Sequence, residues 1–239
     1  MRQGKTIVIT GASRGIGLAL ARECLLHNHS VAALSRRPRD SGGLDELLRD
    51  YPERVIPLAV DVTDPDSLSA AADTIADRFP RGVDILVNNA GAMISREIPE
   101  AGEFRTTELE TLFRVNTVAP LMVTQALLPL LRKSPAPQRL VMNVTSVMGS
   151  IARVAERRNY SYSVSKAALN MLTRLMHQDL RDEGINVFAI HPGWVRTEMG
   201  GEKAHFSPEE SAAGLYARML SWRPGDAELL DFRGEVLPW

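Results

Sequence analysis

The sequence predicts an α/β protein, a doubly wound parallel sheet of about seven strands with helices on both faces in three α/β/α layers. Three observations predict it. Short β-branched or apolar runs alternate with longer helical patterns along the whole chain, the order expected of βαβ units. The stretches between successive runs are long enough for helical crossovers, and right-handed crossovers lay such strands side by side in an open sheet. Finally, 239 residues with 44% apolar content hold enough material for one substantial core.

The elements follow in order. A strand at residues 5–10 opens the fold, and a glycine-containing turn leads from it into a helix over 15–28. Strands at 30–35, 55–60 and 83–88 come next, separated by helices over 43–50 and 65–79. A long helix over 104–132 ends before Ser134, Pro135, Ala136 and Pro137, which read as a surface loop. A strand at 138–144 precedes a second long helix, 162–184, which Gly184 terminates. After a strand at 186–191, Ser207, Pro208 and Glu210 supply an N-cap, a first-turn proline and a capping-box glutamate for a helix over 208–221. A strand at 228–232 closes the sheet, and residues 1–239 are read as a single domain.

Charge and composition exclude several function classes. Lys and Arg total 28 against 29 for Asp and Glu, a net charge of −1, so nothing draws the chain to nucleic acid or to an anionic membrane. The partners expected are small molecules and copies of the chain itself. One cysteine, Cys24, has no internal partner, which agrees with a reducing compartment and a cytoplasmic location. No signal-peptide pattern precedes the first strand, and no apolar run is long enough to span a bilayer. The Asn-x-Ser/Thr matches at Asn28 and Asn143 therefore read as chance. No carboxylate or cysteine cluster accompanies His27 and His29, which read as a solvated helix end, so no metal is expected.

Two motifs carry chemistry. Thr10-Gly11-Ala12-Ser13-Arg14-Gly15-Ile16-Gly17 lies between the first strand and first helix, where backbone amides bind a pyrophosphate and glycines let it approach. Tyr162-Ser163-Val164-Ser165-Lys166 puts a phenol and an ammonium on one helix face. A tyrosine with a pKa of about 10 is a poor base near neutrality, and the expectation is that Lys166, with an oxidised nicotinamide, depresses it.

With these motifs in place the chain resembles the short-chain dehydrogenase/reductase family from about Lys5 onward. Asn88-Asn89-Ala90-Gly91 looks like the segment after its fourth strand. Asn116, Ser146, Tyr162 and Lys166 stand in the order of its catalytic tetrad, and Pro192-Gly193 with Thr197 looks like its nicotinamide contact. The ending Phe232-Arg233-Gly234-Glu235-Val236-Leu237-Pro238-Trp239, with Trp194 to Gly201, is similar to the branch of sniffer-type carbonyl reductases and C-factor-like proteins. The resemblance implies a Rossmann-type fold and a nicotinamide dinucleotide held by Gly11, Ser13, Arg14, Gly15, Ile16, Gly17, Ser35, Arg36, Arg37, Asp61, Val62, Asn88, Ala90, Gly91, Tyr162, Lys166, Pro192, Gly193, Val195 and Thr197. It implies that Tyr162 gives a proton to a carbonyl oxygen, or takes one from an alcohol, and that Ser146 binds that oxygen. Lys166 would tune the tyrosine and hold the ribose, and Asn116 would anchor a water behind the lysine. A short segment at about 194–206 would cover the substrate.

The second strand ends Ser35-Arg36-Arg37 with no carboxylate to bond a ribose 2′-hydroxyl, so NADP(H) is preferred, NAD(H) remaining possible. Guanidinium groups match a 2′-phosphate, and Arg14 is placed to close on it from the other side. The basic stretch Arg153 to Arg158 departs from the branch and reads as a solvated loop, or else as a basic lip beside the pocket. A homo-oligomer, dimer or tetramer, is expected through the two long helices, with Leu127, Leu128, Leu131, Leu169, Leu172 and Leu175 as the surplus apolar faces. The alternative function is a nucleotide-binding signalling or regulatory protein of C-factor type with little turnover.

Overall fold

The computed structural model describes residues 4–40, 42–94, 105–154, 159–222 and 229–239. All described strands join one eight-stranded sheet in the order β3-β2-β1-β4-β5-β6-β7-β8. The strands are β1 Thr6–Thr10, β2 Ser30–Ser35, β3 Val55–Ala59, β4 Ile85–Asn88, β5 Arg139–Val144, β6 Ile185–His191, β7 Leu229–Asp231 and β8 Val236–Leu237. Each neighbouring pair from β3 to β7 is parallel, and β8 alone returns antiparallel, against β7. The sequence expectation of about seven strands missed β8, whose two residues are too short to show a period.

The helices are α1 Gly15–Leu26, α2 Gly42–Asp50, α3 Pro65–Arg78, α4 Thr106–Phe113, α5 Ala119–Lys133, α6 Tyr160–Leu180 and α7 Pro208–Ser221. Helices cover both sheet faces, so the central strands are buried on both sides and read as continuous apolar runs. Ile7, Ile9, Val87 and Ile190 pack on the face shared with α1 and α7. Val8, Leu86, Val141 and Val187 face the other way, toward side chains of α3, α5 and α6.

Three details depart from the sequence reading. The helix expected over 104–132 is broken by a π-helical turn, Arg114–Val118, between α4 and α5. The helix expected from 162 begins at Tyr160, because Asn159 Oδ1 accepts the Tyr162 amide at 2.8 Å, and ends at Leu180. A 3₁₀ turn then reaches Gly184, which takes the left-handed φ of 73°. The capping box is present: Glu210 donates its amide to Ser207 Oγ at 3.1 Å and accepts the Ser207 amide at 2.7 Å.

Leu127, Leu131 and Leu169 are no surplus face. They are buried within the chain, Leu127 and Leu131 in the core where α5 lies against the sheet. Leu175 is exposed as expected, and the other exposed apolar residues of α6 are Tyr160, Val164 and Met171. His29 has both ring nitrogens engaged, Nδ1 accepting the Lys5 amide at 2.9 Å and Nε2 lying 3.0 Å from the Tyr216 hydroxyl. Asn143 is fully buried in β5 and inaccessible to a glycan.

Candidate active site

The strand order reverses between β1 and β4, which opens a crevice at the carboxyl ends of those strands. The turn after β1 bends into it through Gly11 (φ 68°) and Gly15 (φ 55°), conformations that side chains resist. Thr10 and Asn89 fix this turn. Thr10 Oγ1 accepts the amides of Asn89 and Ala90, both at 3.0 Å, and Asn89 Nδ2 donates to the oxygens of Thr10 (2.9 Å) and Gly11 (3.2 Å). Both stand inside the motifs quoted from the sequence but outside the cofactor-binding residues expected from it. The doubled Asn88-Asn89 is the signal for the second, but the two side chains go opposite ways.

Asn88 turns into the protein. Its Nδ2 donates to Asn143 Oδ1 at 2.8 Å and to Thr124 Oγ1 at 3.2 Å, so its side chain ties β4 to β5 and α5 rather than reaching toward a cofactor.

The crevice fits a dinucleotide. No side chain caps the start of α1, and no acid occupies its first turn, leaving its amides for an anion. At the end of β2, Ser35 Oγ is buried without a hydrogen-bond partner, and Arg36 and Arg37 beside it are exposed. The Asp61 carboxyl is held below the usual range by the Thr63 amide and hydroxyl, with Arg36 adding a smaller pull, and Val62 follows it half-buried. Gly91 is exposed between two tetrad side chains. A Cβ there would lie 3.3 Å from Asn116 Oδ1 and 3.6 Å from Lys166 Nζ.

Across the crevice, Pro192 accepts a hydrogen bond from Ser211 Oγ at 2.7 Å, and Gly193 takes φ 86°. Residues 194–206 close on themselves: Phe206 donates its amide to the Trp194 oxygen at 3.0 Å, and Arg196 donates to the Phe206 oxygen at 2.8 Å. Val195 is buried, and Thr197 reaches the glycine-rich turn, where a Cβ on Gly15 would lie 3.1 Å from its methyl. Arg14 meets Glu198 of this segment at 2.6 Å. Both side chains are largely exposed, so the pair contributes at most about 1 kcal/mol and leaves Arg14 able to turn to a phosphate.

The tetrad residues converge behind the crevice. Ser146 begins a 3₁₀ turn after β5, and its Oγ accepts the Met148 amide at 3.1 Å. Tyr162 lies beside it. Burial pushes the phenol up to about 12, and the neighbouring Ser146 hydroxyl pulls against that shift. Lys166 is 4% exposed, donates to the Val144 oxygen at 2.9 Å, and is pushed down to about 8 by burial. The expected depression of the Tyr162 pKa by Lys166 is absent in the protein alone. The ammonium is directed at a backbone carbonyl, 5.8 Å from the centre of the phenol ring, and burial dominates.

Asn116 sits in the π-helical turn, a feature that recurs at functional sites. Its Oδ1 accepts the Ala92 amide at 2.8 Å, and its Nδ2 donates to the Ala92 oxygen (2.9 Å) and to Ser165 Oγ (3.1 Å). Ser165, fully buried, in turn donates to the Tyr162 oxygen at 2.8 Å. That one hydroxyl therefore links the asparagine to the helical turn carrying the tyrosine and lysine. Of the basic stretch, Arg153 is exposed and its charge acts on half-buried His191; Arg157 and Arg158 lie outside the described residues.

A Rossmann-type sheet with a buried serine, tyrosine and lysine grouped behind its crevice defines an oxidoreductase. The chain belongs to the short chain dehydrogenase family, whose sequence profile matches residues 5–207. It is 39% identical over 158 residues to C-signal of Myxococcus xanthus, covering 66% of this chain and 93% of that protein. Among solved structures it is similar to the NADPH-bound carbonyl reductase from chicken fatty liver, with a TM-score of 0.91, 31% identity, and coverage of 99% of this chain and 100% of that one. The carbonyl reductase Sniffer of D. melanogaster gives the same TM-score and coverage at 28% identity.

Proposed function

We propose that this chain is an NADP(H)-dependent carbonyl reductase in which Tyr162 is the proton donor. The observation that carries this reading is the buried phenol beside Ser146, with Lys166 one helical turn further along α6. A phenol pushed up to about 12 keeps its proton at neutral pH, which suits an acid in reduction better than a base in oxidation.

The glycine-rich turn, Asp61, Val62, Ala90, Gly91 and the loop from Pro192 to Thr197 would hold the cofactor; Arg36, Arg37 and Arg14 would bind its 2′-phosphate. The reduced nicotinamide, when bound, supplies a hydride to the carbonyl carbon. Ser146 donates a hydrogen bond to the carbonyl oxygen and fixes its position beside the phenol. Tyr162 then transfers its hydroxyl proton to that oxygen, so the carbonyl becomes an alcohol and the phenol a phenolate. Lys166, charged below about pH 8, stabilises the phenolate and holds the nicotinamide ribose. The Asn116 side chain is committed to Ala92 and Ser165, so a water joining Lys166 to solvent would be held by backbone oxygens of that turn.

We place the whole activity in one domain over residues 1–239, in a reducing, cytoplasmic setting, with residues 194–206 covering the substrate. Among the described residues no helix is long and apolar enough to cross a membrane. Assembly into a homo-oligomer through the exposed stripe of α6 belongs to the same reading. The 39% identity to C-signal favours a second one, a signalling or regulatory protein with little turnover.

Cofactor oxidation across aldehydes, ketones, quinones and ketoacids, with NADPH and with NADH, tests the proposal. Turnover of at least one carbonyl with NADPH preferred supports it; no turnover favours the second reading. The Arg36→Ala variant should weaken NADPH about tenfold to a hundredfold and leave NADH nearly unchanged, since one charge-assisted contact contributes roughly 1.5 to 3 kcal/mol.

A further inference from the structure

We propose that residues 229–239 brace the two walls of the substrate site against each other, and that Trp239 is the positioning residue for the wall that carries Ser146. The inference rests on the carbonyl-reductase reading for its kinetic consequence, while its structural half stands on the contacts themselves.

One wall is the stretch from Ser146 to Val154. It consists of short 3₁₀ turns, Val147–Gly149 and Ile151–Arg153, which have weak hydrogen-bond geometry and little cooperativity of their own. Ile151 is 76% and Val154 59% exposed, so this wall is not held by burial of its outer half. The other wall is the loop from Pro192 to Phe206. Both are reached by the motif at the end of the sequence, which the catalytic reading leaves unused.

The segment is shaped to reach both. After β7 the chain turns tightly: Asp231 Oδ1 accepts the amides of Arg233 (2.9 Å) and Glu235 (2.8 Å), and Gly234 takes φ 94°. At the turn, buried Phe232 lies under the second wall. Its amide donates to the His191 oxygen at 2.9 Å, its ring centre is 4.9 Å from that of Phe206, and a Cβ on Gly193 would come 3.0 Å from it. The chain then returns as β8, pairing Leu237 with Leu229, and arrives at the first wall.

There Ser150 Oγ, fully buried, donates to the Pro238 oxygen, and Ala152 donates its amide to the Trp239 oxygen at 2.9 Å. Trp239 packs against the buried cluster of Ala189, Leu229 and Leu237, the same cluster against which Val147, the residue after Ser146, also packs. Arg174 of α6 lies over the indole, 5.5 Å from its centre, and holds it from the helix side. Removing the indole therefore strips one side of the cluster on which Val147 rests and loosens the chain end that ties Ser150 and Ala152, so Ser146 is less firmly placed, while the glycine-rich turn at residues 10–17 is untouched.

The test compares wild type, Trp239→Ala and Trp239→Phe by amide hydrogen exchange and by steady-state kinetics on a carbonyl found in the panel above. In Trp239→Ala, exchange over 147–154 should accelerate at least about tenfold, with residues 11–17 unchanged. The carbonyl kcat/KM should fall about 10- to 100-fold, as a displacement near 1 Å of a positioning group produces. NADPH affinity should stay within about twofold, and Trp239→Phe should recover most of the loss by keeping an aromatic ring against the Leu229 and Leu237 cluster and under Arg174. Unchanged exchange over 147–154 in a folded Trp239→Ala variant would overturn the proposal, as would a Phe variant no better than Ala or a parallel loss of NADPH binding. Should Trp239→Ala not fold, Ser150→Ala removes only the tie to Pro238 and is judged by the same exchange and affinity criteria. If no carbonyl is turned over, the functional reading fails while the exchange comparison still decides the brace.

Discussion

Tyr162 and Lys166 are shifted in opposite directions by one cause. Burial disfavours charge, so the phenol rises to about 12 and the ammonium falls to about 8. The kinetic sign follows: the lysine is charged below about pH 8 and loses its charge as pH rises through that value, while the tyrosine keeps its proton throughout. Carbonyl kcat/KM should therefore hold level through neutrality and decline above about pH 8. Lys166→Arg, permanently charged, should lose that decline even if its rate is lower. A pH–rate profile of both proteins checks this, and an identical decline in the variant would assign it to another group. The four-residue spacing made the shared helix face of Tyr162 and Lys166 legible in the sequence. The direction of the tyrosine shift was not legible, because it depends on how deeply the ring is buried by residues distant in sequence. Asn88 and Asn89 show the same limit, since adjacent identical side chains serve a buried tie and the glycine-rich turn respectively.

Elements were legible where periodicity is long and hidden where contact decides. The strands from β1 to β6 and the capped start of α7 follow from β-branched runs and from Ser207 to Glu210. The π-helical turn at Arg114–Val118 does not, because its extra residue registers only through Asn116 meeting Ala92 and Ser165. β8 likewise depends on a partner strand. The close fit of the turn after Ser146 against α6 is another such contact: a Cβ on Gly149 would come 2.7 Å from the Lys166 carbonyl carbon and 2.9 Å from the Ala167 nitrogen. Asn170 Nδ2 donates to the Gly149 oxygen at 3.1 Å, which anchors the approach. Gly149→Ala should push the turn from the helix, costing about 1 to 3 kcal/mol of stability. At roughly 2 to 4 °C per kcal/mol for a chain of this size, the Tm should fall by several degrees. Because the turn begins at Ser146, kcat should fall about tenfold or more. Thermal melting with steady-state assay reads both, and an unaltered kcat would separate Ser146 placement from this contact.

For the whole molecule, alternation of strand and helix gave the doubly wound sheet, and the crevice between β1 and β4 follows from its strand order. Which leucines face outward followed only in part: Leu175 does, whereas Leu127 and Leu131 pack in the core beneath the sheet and Leu169 is buried, and Tyr160, Val164, Met171 and Leu175 recur at intervals of four and seven on the outer face of α6. The oligomer proposed through that face should sediment above monomer mass at micromolar concentration, and Met171→Asp should shift it toward monomer without loss of NADPH binding; a monomeric wild type would contradict it. The proposed catalysis turns on a proton leaving Tyr162. The measurement that tests it most directly is carbonyl reduction by Tyr162→Phe, with NADPH affinity measured on the same preparation. The predicted result is a kcat lower by about 100-fold or more with NADPH affinity nearly that of wild type. A Phe variant that reduces the same carbonyl at a near-normal rate would contradict it.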